Sequence, residues 1–140
     1  MKNEWQQWLQ YAEENCRVAA LCFEGGLFNA CLHNAQQAVE KALKALSLTV
    51  GLPLKKTHSI AELAADLRRA GVEIEFSEDD IDLLDSVYLP SKYPLGSALP
   101  DFFPDRDLAQ HCLALASHVV DEIRGRLKSS DNKNNKEALI

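Results

Sequence analysis

The four cysteines of this chain form no CxxC pair, and no apolar run approaches the length of a membrane span. The first absence removes the usual zinc and redox arrangements. The second removes a membrane-spanning helix. Glycine and proline are scarce, at six and five in 140 residues, and four of the prolines fall between Leu89 and Pro104. The chain on either side of that stretch is therefore nearly free of the residues that most often interrupt helices. Bases are outnumbered, 15 against 21 acids, for a net charge of −6. That balance argues against a broad nucleic-acid face, because phosphate contacts need a basic surface, and leaves room for a small phosphate site. The first residues, MKNEWQQWLQYAEEN, place acids and tryptophans where a signal peptide needs an apolar core. A cytoplasmic protein with buried, reduced thiols at Cys16, Cys22, Cys31 and Cys112 is expected. No metal or cofactor is expected, since His118 with Asp121 and Glu122 makes a poor set without a firm third ligand at helical spacing.

What is present is enough apolar material, 46% of residues, for one core. Trp5, Trp8/Leu9, Ala12, Cys16, Ala19/Ala20 and Phe23 recur at three- and four-residue steps, which predicts a helix over Glu4–Glu24 ended by Gly25-Gly26. A second helix is expected from about Phe28 to Val50, rich in alanine on its buried side and ended by Gly51 and Pro53. Ser59-Ile60-Ala61-Glu62 has the form of a capping box and opens a third helix that stops at Gly71. Val72–Phe76 alternates like a strand but has no second strand to pair with, so it reads as an extended connector. Ser77, followed by Glu78, Asp79 and Asp80, caps a fourth helix whose face is Ile81, Leu84, Val87 and Tyr88. The last helix is expected from Asp105 to Leu127, and residues 129–140 read as a disordered polar tail. The expectation is an all-α, antiparallel four- or five-helix up-and-down bundle over residues 1–128, with a long Pro-rich loop before the last helix.

That loop, LPSKYPLGSALPDFFP, carries Tyr93, Leu95, Leu99, Phe102 and Phe103 but one base, Lys92. A link this long costs much chain entropy unless it packs on something or is used. It reads as a lid over one end of the second helix, used for dimerisation or partner docking. Gln36, Gln37, Glu40 and Lys41 form a polar strip on the alanine-rich helix, placed to hydrogen-bond the loop's backbone.

Three segments together resemble the HEPN domain family of small helical bundles. They are FNACLHNAQQAVEKALKA (Phe28–Ala45), KTHSI (Lys56–Ile60) with Leu63, and SKYP (Ser91–Pro94), where the family usually shows R-Y-P. The resemblance spans about residues 5 to 127. It implies a bundle that commonly dimerises, acting as a nucleotide- or phosphate-binding and interaction module. A minimal nucleotidyltransferase is the partner it implies, in a toxin–antitoxin-like pair. The alternative it implies is a metal-independent ribonuclease with an Arg-x4-6-His motif.

Metal-free RNA cleavage needs a histidine to move protons and an arginine to neutralise phosphate charge. Arg106 and His111 are the only pair at that spacing and are the catalytic candidates should the chain be a ribonuclease. Five residues turn a helix by about 500°, so the two do not share a face unless Arg106 lies in the cap. Lys92 stands where the family has arginine and offers a point charge in place of a bidentate fork. Tyr93 either packs on the second helix or touches ligand. His58 either bonds the start of the third helix or helps hold an anion there. Lys92, Tyr93, His58, Gln37 and Lys41 are the candidate binding residues; the expected ligand is a nucleotide or RNA, and a homodimer without membrane contact is the expected form.

Overall fold

A computed structural model describes residues 4–88 and 104–138, with side chains to residue 129. Its described residues contain five helices and no strand: α1 (Glu4–Glu24), α2 (Phe28–Thr49), α3 (Ile60–Arg69), α4 (Glu78–Ser86) and α5 (Arg106–Ala138). Lys92 and Tyr93, with the proposed lid, lie outside the described residues.

α1 and α2 form an antiparallel hairpin because α1 ends in a tight glycine cap. Gly26 takes φ +74°, a left-handed conformation that a Cβ would strain. That turn lets Leu27 N–H reach Cys22 O at 2.8 Å and Gly26 N–H reach Phe23 O at 3.1 Å, which satisfies two carbonyls left open by the helix end.

α2 is the central helix, packing against α1, α3 and α5, while α4 packs on α3. Its alanines 35, 38, 42 and 45 are wholly buried, and small side chains let the neighbouring backbones approach closely. α5 closes the bundle with Ala109, Cys112, Ala116, Val119 and Ile123. Trp5 and Trp8 pack half-buried against this core. Their place on the α1 stripe at i and i+3 already put them on the inner face.

The capping box at α3 is half formed. Ser59 Oγ accepts Glu62 N–H at 3.1 Å, as expected, but the Glu62 carboxylate does not return to Ser59; it takes Thr57 Oγ1–H at 2.8 Å and Lys55 Nζ at 3.0 Å. Ser59 N–H donates to Thr57 Oγ1 instead. Ser77 caps α4 by accepting Asp80 N–H.

The connector at 72–76 forms no strand but is not simply extended: it bends at Glu75, where Phe76 N–H donates to Ile74 O at 2.8 Å, and α5 supplies further bonding partners. His118 Nε2 stands 3.2 Å from Glu75 O, the Glu122 carboxylate accepts Glu75 N–H, and Arg126 donates to Glu73 O. Spacing of four residues puts His118, Glu122 and Arg126 on one face. α5 also continues past Leu127 to Ala138, through most of the stretch read from composition as a tail. Extending a nucleated helix needs no new nucleus, so the helix continues even through the weak helix formers Ser129, Ser130, Asp131, Asn132, Asn134 and Asn135.

Candidate functional site

Gln36, Glu40 and Lys44 recur every four residues on α2, so they line one face. That face is buried: Glu40 is 3% and Lys44 6% exposed, and Gln36 not at all. Isolated charges at such burial would cost several kcal/mol each. Here they satisfy one another. Glu40 Oε2 lies 3.1 Å from Lys44 Nζ, and Glu40 Oε1 lies 2.9 Å from His58 Nδ1. Lys44 Nζ also stands 5.4 Å over the Trp8 ring, a cation–π contact from α1. Gln36 donates to His58 O at 3.2 Å and accepts from Gln37 Nε2 at 2.7 Å. Both the backbone and the ring of His58 are thus tied to α2.

The remaining member of the strip turns the other way. Lys41 Nζ donates to Asn15 Oδ1 at 2.7 Å, and Asn15 Nδ2 donates to Asn34 Oδ1 at 3.0 Å. The described partners of Gln36, Gln37, Glu40 and Lys41 are α1, α2 itself and the His58 loop; the Pro-rich stretch they were expected to anchor lies outside the described residues.

His58 is buried at one edge only. Its Nδ1 lies 2.9 Å from Glu40 Oε1, where an Nδ1–H donates to the carboxylate and leaves Nε2 as the second polar atom of the ring. One ring face stacks on Tyr88, with centroids 4.8 Å apart and planes 17° from parallel. The side chain is still 56% exposed, so the opposite face and the Nε2 edge are open to solvent.

Immediately beyond His58, the start of α3 is occupied by a carboxylate of the protein. Asp85 Oδ1 accepts Ile60 N–H at 2.6 Å, and Oδ2 accepts Ala61 N–H at 3.0 Å. An external anion at this helix end would displace Asp85. Sequence reasoning did not single out Asp85, which is 25 residues from its partner; its only local signal was one more acid in an acidic run.

Lys55 bridges Glu62 and Asp66, at 3.0 and 2.8 Å. The bonds to Thr57 and Lys55 lower the Glu62 pKa, and the bond to Lys55 lowers that of Asp66. The Asp66 and Glu62 bonds raise Lys55 in turn.

The other candidate pair is drawn apart. Arg106 lies over the Phe23 ring of α1, 4.9 Å from its centroid, whereas His111 Nε2 faces Asp80 of α4 at 3.6 Å. Both side chains are exposed. Five residues of helical turn direct them to different neighbours, as the spacing predicted.

Between α1 and α5 runs an apolar groove of about 560 Å³, floored by Cys16, Ala20, Phe23, Leu113 and Val120. Arg124 at its edge pairs with Asp121 and lies 3.9 Å from Glu13. Among the described residues no group of three His, Cys, Asp or Glu is placed to hold a metal, and no helix is long and apolar enough to cross a membrane.

The HEPN domain family model matches residues 5–126. The structure is similar to TT1696 of Thermus thermophilus, at 32% identity and TM-score 0.73 over 89% of this chain and 98% of that one. It also shares its fold with ST0689, an archaeal HEPN homologue, at 22% identity and TM-score 0.63, covering 89% of this chain and 98% of that one. A HEPN domain protein of Thermotoga maritima has the same fold at 21% identity and TM-score 0.65, covering 87% of this chain and 98% of that one. No curated protein matches the chain.

Proposed function

The chain belongs to the HEPN domain family, and from that premise we propose that it is a dimeric interaction and nucleotide- or phosphate-binding module. It works beside a nucleotidyltransferase partner, in a toxin–antitoxin-like pair. The observation that carries this reading is the state of His58: its ring is held by Glu40 at Nδ1 and by Tyr88 on one face, its backbone carbonyl by Gln36, and yet the side chain is 56% exposed. Side chains that are held still and left exposed lose little freedom on binding. The separation of Arg106 from His111 supports binding over cleavage, since within one chain the phosphate-stabilising and proton-moving groups do not face a common point.

Dimerisation is supported by apolar side chains exposed on the described surface. Tyr11, Val18 and Leu21 are exposed on the outer side of α1, and the apolar groove lies along its inner side. Exposed apolar area rimmed by charge is typical of association surfaces.

Two measurements test the reading. Equilibrium dialysis with labelled ATP should show saturable binding, and sedimentation equilibrium at micromolar concentration should give twice the chain mass. A chain that takes up no nucleotide overturns the binding module, and a monomer overturns the dimer.

A further inference from the structure

We infer that the open face of His58, backed by Tyr88, is a stacking platform for the base of a free nucleotide, and that Lys56 takes its phosphate. This deepens the module reading above and rests on it.

The ring is already the second layer of a stack. Tyr88 supports it from below at 4.8 Å, and 56% exposure of a side chain covered on that face leaves the other face bare. Glu40 at Nδ1 prevents the ring from turning, and Glu40 is itself held by Lys44. A flat, immobile ring open on one side suits a flat ligand, because base stacking on an aromatic side chain tolerates any base and demands only a clear π face. The outward Nε2 adds an edge contact: it accepts a hydrogen bond when His58 is neutral and donates when it is charged.

A base alone does not make a nucleotide site. Lys56 supplies the anion contact. It is exposed, and among the described residues no acid is paired with it, whereas its neighbour Lys55 is taken by Glu62 and Asp66. No more than about 7 Å of chain separates Lys56 from His58. The start of α3 does not compete for the phosphate, because Asp85 fills it. That filled site also repels a second anion, and with the net charge of −6 it favours a single nucleotide over a nucleic-acid strand.

The test is calorimetric titration of the full chain with ATP, adenosine, inorganic triphosphate and a single-stranded oligoadenylate. ATP is expected to bind saturably. His58→Ala should weaken it about tenfold or more, the usual loss for one aromatic–base stack, and His58→Phe should retain most of the affinity. Lys56→Ala should weaken ATP and leave adenosine unchanged. Thermal melts check that the variants fold; if His58→Ala does not, the folded His58→Phe decides, and its failure to bind ATP overturns the platform. Triphosphate binding as tightly as ATP also overturns the stacking contact. Binding of oligoadenylate without ATP overturns the free nucleotide. ATP binding that survives both His58→Ala and Lys56→Ala leaves the module reading standing and removes this site. A wild-type chain that binds no ATP removes both.

Discussion

Asp85 of α4 caps α3 from a distance, its two carboxylate oxygens accepting the backbone N–H groups of Ile60 and Ala61 at 2.6 and 3.0 Å. A negative charge on these groups meets both their unmet hydrogen bonds and the positive end of the helix dipole. Asp85→Ala should lower stability by about 1–2 kcal/mol. For a chain of this size that is a fall in Tm of about 3–8 °C. Asp85→Asn, which keeps an acceptor and loses the charge, should fall between. Thermal melts of the two variants check the order; an unchanged Tm for Asp85→Ala overturns the cap.

The Glu40–Lys44 pair is buried, so removing one partner is worse than removing both. Glu40→Ala strands the Lys44 charge and should cost about 3–5 kcal/mol. Glu40→Leu combined with Lys44→Met should recover most of that loss. Urea denaturation of the single and double variants reads the difference; a double variant no more stable than Glu40→Ala contradicts it.

Burial, with smaller contributions from neighbouring thiols and, for Cys112, from the Asp80 carboxylate, raises Cys31 from 9.0 to about 11 and Cys112 to about 12. Both thiols stay protonated in the folded chain near neutral pH. Iodoacetamide at about pH 8 should leave them unmodified until urea is added, as peptide mapping would show. The raised values also set a pH window. The folded state holds these protons more tightly than the unfolded one, so the associated stability is complete below about pH 9 and is lost as pH rises towards 11–12. Melts taken upward from about pH 8 should show a falling Tm.

Purified protein should leave RNA intact, with or without EDTA, and His111→Ala should behave as wild type. The reason is the divergence of Arg106 towards Phe23 and of His111 towards Asp80. EDTA-resistant cleavage that drops about a hundredfold or more in His111→Ala would instead assign the ribonuclease chemistry to this pair.

The helices were legible because their signals are local. The α1 stripe, Gly26, and the serines at 59 and 77 each act within one or two turns of the residues they control. The site was legible in residues but not in partners. Glu40 and Lys41 stand next to each other in the sequence, yet one faces the His58 loop and the other Asn15 of α1. Adjacent positions on a helix diverge by about 100°, and which neighbour each meets depends on how the bundle closes. The Asp85 cap was invisible for the same reason. So was the second half of the Ser59 capping box, where Lys55 and Thr57 compete successfully for Glu62.

The clamp that α5 places on the connector has a bearing on dynamics. Glu75 belongs to no helix, but its amide is held by Glu122 and its carbonyl by His118. Amide hydrogen exchange at Glu75 should therefore be slower than at an unbonded loop amide, and Glu122→Ala, which removes the acceptor without touching the connector's own sequence, should speed it; a single side chain on α5 thus sets the local lifetime of a backbone bond 47 residues away.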